Sequence, residues 1–158
     1  MKKFELTSEF VTFLGKKLFR IKALVSFGDV KEGELGGLVE KEENLDQSGN
    51  AWVSGDARVY GNARVYGDAR VYGNAWVSGD ARVQNCRDYS ATSCFGSENR
   101  TTTFFRTKDG GISVRCGCFY GTLAEFREKV KERHGGRRLA KEYLMLADLM
   151  EFRLSKDE

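Results

Sequence analysis

The sequence predicts a mainly β protein: a parallel β-helix wound from six-residue repeats, then a small α/β module of a hairpin and two helices. Three observations carry that expectation. From Gly49 the chain runs GNAWVS, GDARVY, GNARVY, GDARVY, GNAWVS, GDARV almost without interruption. It holds 18 Gly and no Pro, so turns fall to glycine and each strand keeps its full set of backbone donors. Beyond Gln84 the repeat gives way to β-rich runs and then to apolar residues at helical spacing.

With 158 residues the chain has room for a repeat body plus an appended module, and three regions are expected: 1–36 as an N-terminal strand and cap, 37–85 as β-helix, 86–158 as the terminal module. A net charge of +3 is too small to mark a nucleic-acid binder. The start, MKKFELTSEF, has no long apolar run behind its lysines, so neither a signal peptide nor a membrane span is expected. The four cysteines, Cys86, Cys94, Cys116 and Cys118, then read as thiols of a cytoplasmic protein.

In the first region Phe19, Ile21, Ala23, Val25 and Phe27 alternate with Arg20, Lys22 and Ser26, which predicts a half-buried strand ending at the Gly28-Asp29 turn. GELGGLVE follows as a glycine-rich approach to the repeats. Within each hexad Ala and Val stand two apart, from Ala51 and Val53 to Ala81 and Val83, so both point inward from a short strand. Gly followed by Asn or Asp makes the corner, because glycine tolerates positive φ. Looser copies extend upstream through Leu45 and Val39. A strand this short cannot bury its apolar side alone, so successive hexads must share a core. Three hexads per turn give a coil of about 18 residues. That register sets Trp52 against Arg70 and Arg58 against Trp76, pairs each contributing about 0.5–1 kcal/mol at exposed sites. Arg64 falls against Arg82, beside Tyr66.

In the last region NCRDYSATSCFGSE reads as an irregular connection, and two β-rich runs flank the turn Lys108-Asp109-Gly110-Gly111. Ile112, Val114, Cys116 and Cys118 share one face of the second run, Ser113, Arg115 and Gly117 the other. Thr122 to Glu125 spells a capping box opening a helix that Gly135-Gly136 ends. A second helix, from Arg138 to Leu154, sets Leu139, Tyr143, Leu146 and Met150 on one side.

Candidate chemistry is sparse. The repeats contain no histidine, and the lone His134 ends a helix, where it complements the dipole. An acyl transferase, whose base would be histidine, is therefore disfavoured, and no enzyme activity or cofactor is expected. Cys116 and Cys118 continue an apolar face and read as core thiols, not zinc ligands. The densest polar constellation is Ser97, Asn99, Arg100, Thr101, Thr103, Phe104, Arg106, Lys108, Arg115 and Tyr120. Guanidinium groups and hydroxyls suit phosphate, and aromatic faces suit a base. Arg100, Arg106 and Arg115 would clamp phosphate, Thr101 and Thr103 would hydrogen-bond it, and Phe104 or Tyr120 would stack. The same residues are also ordinary strand formers with solvated arginines. The Arg, Tyr and Trp stripes of the repeats could stack single-stranded nucleic acid, but Asp56, Asp68 and Asp80 dilute the basic field and a subunit contact suits them better.

LFRIKALVSFGDVKEGELGGLVE, GNARVYGDARVYGNAWV and RTTTFFRTKDGGISVRCGCFYGTLAEF together resemble a group of small phage- and prophage-encoded proteins with hexapeptide-type repeats. The resemblance covers about Leu18 to Phe152 and implies a left-handed β-helix, commonly assembled as a homotrimer. It also implies a role against host antiviral defence inside the infected cell. The expected function is a non-enzymatic oligomer that sequesters a small anionic, nucleotide-type signal. The alternatives are a protein-binding inhibitor of a host defence enzyme, a structural phage protein, or an acyltransferase.

Overall fold

The computed structural model of the chain describes residues 2–95, 100–117 and 119–155. It divides into two compact units, Met1–Cys86 and Arg87–Glu158.

The first unit is a repeat coil with an antiparallel hairpin added to one side. The hairpin strands are β1 (Phe4–Phe13) and β2 (Lys16–Ala23), followed by β3 (Leu35–Val39) and the two-residue strands β4 (Trp52–Val53), β5 (Arg58–Val59), β6 (Arg64–Val65), β7 (Arg70–Val71), β8 (Trp76–Val77) and β9 (Arg82–Val83). Three parallel ladders result: β4 with β7, β5 with β8, and β6 with β9, each pairing a residue with the one eighteen further on. The six Ala and six Val of the hexads are all at most 1% exposed, which is the thin interior that the alternation predicts. The corner glycines Gly49, Gly55, Gly61, Gly67, Gly73 and Gly79 all have φ between 63° and 74°, the left-handed region that a side chain would strain.

Upstream the coil lengthens. Val39 pairs with Val59 and Leu45 with Val65, an offset of twenty. The two extra residues fall between Leu45 and Val53, where Asp46, Gln47 and Ser48 bulge outward beside a 3₁₀ turn at Glu42–Asn44. β3 enters at close quarters: a Cβ on Gly36 would stand 2.5 Å from the Val53 carbonyl oxygen, so only glycine fits.

The first region differs from expectation in one respect. Its strand ends at Ala23, not at Gly28, and it pairs with β1, which the sequence had not marked. The Gly28-Asp29 turn does form, with Phe27 and Val30 bonded across it at 3.0 and 2.8 Å. The sheet runs β1-β2-β3-β5-β8, so antiparallel hairpin and parallel coil share one ladder at β3.

The second unit is a four-stranded antiparallel meander of β10 (Tyr89–Phe95), β11 (Arg100–Arg106), β12 (Ile112–Cys116) and β13 (Phe119–Thr122), followed by α1 (Leu123–His134) and α2 (Arg138–Leu154). The turn at Lys108–Gly111 is present, with Gly110 at φ 89°. The Asp109 carboxyl there accepts from the Thr107 hydroxyl at 2.6 Å, which holds it below the usual carboxylate range. Two strands correct the reading of the sequence: the polar stretch taken as a connection contains β10, and β13 precedes the first helix. The Thr122 hydroxyl accepts from the Glu125 amide at 3.1 Å and the Glu125 carboxylate accepts from the Thr122 amide at 2.8 Å, the reciprocal cap that starts α1. Both helices pack on one sheet face, where Phe104 and Val114 meet Phe126, Val130, Tyr143, Leu146 and Met150.

Candidate functional site

Alternation along the strands divides the expected ligand residues between two faces of the sheet. Phe104 and Arg106 project to the helix side, Thr101, Thr103, Arg115 and Tyr120 to the other. Phe104 is fully buried and packs edge-on against Phe126 at 5.7 Å, so it stacks on no ligand. Arg106 is engaged too. Its Nε donates to the Leu154 carbonyl at 2.7 Å, its Nη2 to that of Ser155 at 3.2 Å, and its Nη1 lies 3.3 Å from the Asp88 carboxylate. These bonds tie β11 to the last turn of α2, and both residues correct the expected binding set.

On the other face Thr103, Arg115 and Tyr120 form one cross-strand row. The Arg115 guanidinium lies 5.9 Å from the Tyr120 ring centre, and Tyr120 stacks on Phe105 at 6.5 Å. Thr103 and Arg115 are nonetheless buried, and only Tyr120 is exposed. Thr101 shares a hydroxyl contact of 3.0 Å with Ser93, and Lys108 is exposed on the turn. Ser97 and Asn99 lie outside the described residues, as does Cys118, and the side chain of Arg100 is likewise not described. His134 stacks on Tyr143 at 5.7 Å in the helical pair. Among the described residues no three His, Cys, Asp or Glu converge to hold a metal ion.

The coil offers a different arrangement. Two of its three outward ladders are covered from residues 1–36. On the β5/β8 ladder the Arg58 guanidinium is held 4.5 Å from the Phe13 ring and 5.6 Å from that of Trp76, while Tyr60 meets Phe13 edge-on. On the β4/β7 ladder Trp52 is 1% exposed beneath Phe27, and Arg70 is ion-paired with Asp29. The expected pairing of arginine with tryptophan holds in register on both ladders, and hairpin and loop bury what the repeats alone would leave wet.

The β6/β9 ladder carries Arg64 and Arg82, one coil apart, without such a cover among the described residues. Arg82 is half-buried and fixed: its Nη1 donates to the carbonyls of Asn62 and Ala81, both at 2.9 Å. Arg64 is exposed, and its side chain has no hydrogen-bond or ion-pair partner among the described residues. Beside them opens a cavity of about 540 Å³ whose walls are Arg64, Arg82, Tyr66 and Val65 on one side and Glu42, Glu43, Leu45, Asp46 and Gln47 on the other. The 3₁₀ turn supplies Glu42 and Glu43 to that second wall, and the bulge after Leu45 supplies Asp46 and Gln47. Its acids are not equivalent. Glu42 lies 2.9 Å from Lys2, whose ammonium lowers its carboxyl pKa, and it also accepts from Gln47 at 2.8 Å. Asp46 accepts from the Ser48 amide and hydroxyl, both at 3.2 Å. Glu43 is exposed. The sequence displayed the Arg64/Arg82 column but not its acidic opposite wall, which depends on the irregular turn and bulge at residues 42–47.

With paired hexads on three ladders and a two-helix terminal unit, the chain is a β-solenoid repeat protein. A family model described as the YdcK beta solenoid repeat matches residues 51–66, 57–73 and 63–79, within the coil. No curated protein matches the chain. No helix among the described residues is long and apolar enough to cross a membrane.

Proposed function

We propose that the chain is a non-enzymatic, self-associating protein whose hexapeptide coil winds left-handed and sequesters a small anionic, nucleotide-type ligand. In the setting that its resemblance to phage proteins implies, that ligand is a host antiviral signal and its capture counters host defence.

The observation that carries this reading is the Arg64/Arg82 column at the cavity wall. Like charges placed opposite one another in adjacent strands repel, so the column favours an anion that bridges both guanidinium groups. Tyr66 offers a ring face beside them, suited to a planar base. The opposite wall discriminates. Glu43 and Asp46 repel a bare phosphate but accept hydrogen bonds from amino groups, which selects a molecule anionic at one end and donor-bearing at the other. A nucleotide with an exocyclic amine has that polarity.

Calorimetry with mononucleotides, cyclic di- and trinucleotides and ADP-ribose derivatives tests the reading. Binding is expected from at least one of them, with loss in Arg64→Glu. Absence of heat from the whole panel, with folded wild-type protein, overturns it.

A further inference from the structure

The wall that faces the Arg64/Arg82 column holds one carboxamide, Gln47, among the carboxylates of Glu42, Glu43 and Asp46. A carboxamide has two hydrogens to donate and two lone pairs with which to accept. In Gln47 all of them are taken. Its Oε1 accepts from the main-chain amides of Lys3 at 2.7 Å and Phe4 at 3.2 Å. Its Nε2 donates to the Phe4 carbonyl at 3.3 Å and to the Glu42 carboxylate at 2.8 Å. The Lys2 ammonium, 2.9 Å from Glu42, compensates that charge.

Two carboxylates remain for a ligand. Glu43 is exposed, and its side chain has no hydrogen-bond or ion-pair partner among the described residues. Asp46 accepts from the amide and hydroxyl of Ser48 and keeps further lone pairs. The side chains left on this wall therefore accept hydrogen bonds and do not donate them.

Such a wall sorts the bases by their edges. Adenine and cytosine set an amino donor beside a ring-nitrogen acceptor, which a carboxamide matches and a carboxylate does not. Uracil sets its single N–H between two carbonyl acceptors. Guanine alone carries two adjacent donors, the N1–H and the N2 amino group, spaced for the two oxygens of one carboxylate. The side chain suited to adenine, Gln47, is held away from it by the main chain of residues 3 and 4.

We propose that the ligand of this cavity is a guanine-bearing nucleotide, its N1–H and N2 amino group held by the Glu43 carboxylate and its phosphate by Arg64 and Arg82. The inference rests on the nucleotide reading above and narrows its base. Asp46 offers an acceptor for the second amino hydrogen, and the charge on both carboxylates strengthens these bonds over neutral ones.

Calorimetry of the full chain with the monophosphates of guanosine, inosine, adenosine and uridine, and with the all-guanine and all-adenine cyclic dinucleotides, tests it. Each guanine compound is expected to bind at least about tenfold tighter than its adenine or uracil counterpart. Inosine monophosphate keeps the N1–H but lacks the N2 amino group, and should fall between. Glu43→Gln, at an exposed position, replaces one acceptor with a donor. It should leave far-UV circular dichroism unchanged and cut the advantage of guanine over adenine below about threefold. Arg64→Glu should abolish binding whatever the base. A guanine-free compound bound as tightly as its guanine counterpart, or a preference that survives Glu43→Gln, overturns the guanine assignment and leaves the nucleotide reading standing. Absence of heat from every nucleotide, with folded wild-type protein, overturns both.

Discussion

Arg64 lies one coil from Arg82 on the β6/β9 ladder, whereas the β4/β7 and β5/β8 ladders pair an arginine with a tryptophan at the equivalent place. The repeats therefore contain a built-in comparison. Arg64→Trp would give the third ladder the pairing of the other two. The variant is expected to gain about 0.5–1 kcal/mol in the absence of ligand, since a cation–π contact replaces a repulsion. It should also lose anion binding. Urea denaturation and calorimetry read the two effects separately, and a variant less stable than wild type would show that the arginine column is not a source of strain.

Lys3 makes the coil's first turn sensitive to alkaline pH. The residue is 4% exposed, and its ammonium donates to the Ala51 carbonyl at 2.7 Å and to that of Gly49 at 3.3 Å and lies 4.7 Å from the Phe27 ring centre. Burial lowers its pKa from 10.5 to about 8. Between those values the unfolded chain holds a proton at Lys3 that the folded chain has released. Stability of the first unit therefore rises with pH across that window. Denaturation midpoints at successive pH values should show this slope in the wild type and its loss in Lys3→Met. Parallel curves for the two proteins would contradict it.

The corner glycines separate two costs. Gly73 has φ 70° and nothing within 4 Å of a would-be Cβ, so Gly73→Ala meets only the backbone penalty, about 1–2 kcal/mol. Gly67 has φ 65°, and its Cβ would come to 2.8 Å from the Gln84 carbonyl oxygen. Gly67→Ala is expected to cost clearly more than Gly73→Ala by chemical denaturation. Equal losses would mean that the coils separate without resistance.

Much of the coil was legible because each hexad repeats its neighbour's residue types. The register of Trp52 on Arg70 and the inward Ala and Val follow from counting by six and eighteen. What escaped lies in unrepetitive segments whose strand character shows only once they pair. β1 alternates poorly, and the middle of β10 is Ser, Ala and Thr, so neither announces a strand. Alternation correctly separates Phe104 from Thr103, but it does not say which face the helices cover, and that decides which residue is core. The acidic cavity wall was hidden because it comes from an irregular 3₁₀ turn and the bulge that follows it, outside the exact repeats.

Leu14 shows why the hairpin of β1 and β2 went unmarked. Its φ is 53° and that of Gly15 is 77°, a two-residue turn with both residues left-handed, for which Asn-Gly is the usual signature. Leucine there is strained, and 57% of it is exposed. Leu14→Asn should stabilise the first unit by about 0.5–1 kcal/mol, because asparagine tolerates this conformation better. A denaturation midpoint that falls would indicate that the Leu14 side chain contributes packing worth more than the turn strain.

Arg106 distinguishes a binding role from an architectural one. As a phosphate clamp it would affect ligand affinity; as the structure places it, it ties β11 to the C-terminal carbonyls of α2 and to Asp88. Hydrogen bonds made by a charged group are worth about 1.5–3 kcal/mol, and the planar fork reaching three acceptors has no lysine equivalent. Arg106→Lys and Arg106→Ala should therefore both destabilise the second unit, with similar losses within that range. Neither should alter nucleotide binding at the Arg64/Arg82 cavity. Thermal denaturation and ligand titration of the same two variants decide the matter: lost affinity with unchanged stability would return Arg106 to the binding site and remove it from the framework of the sheet and helices.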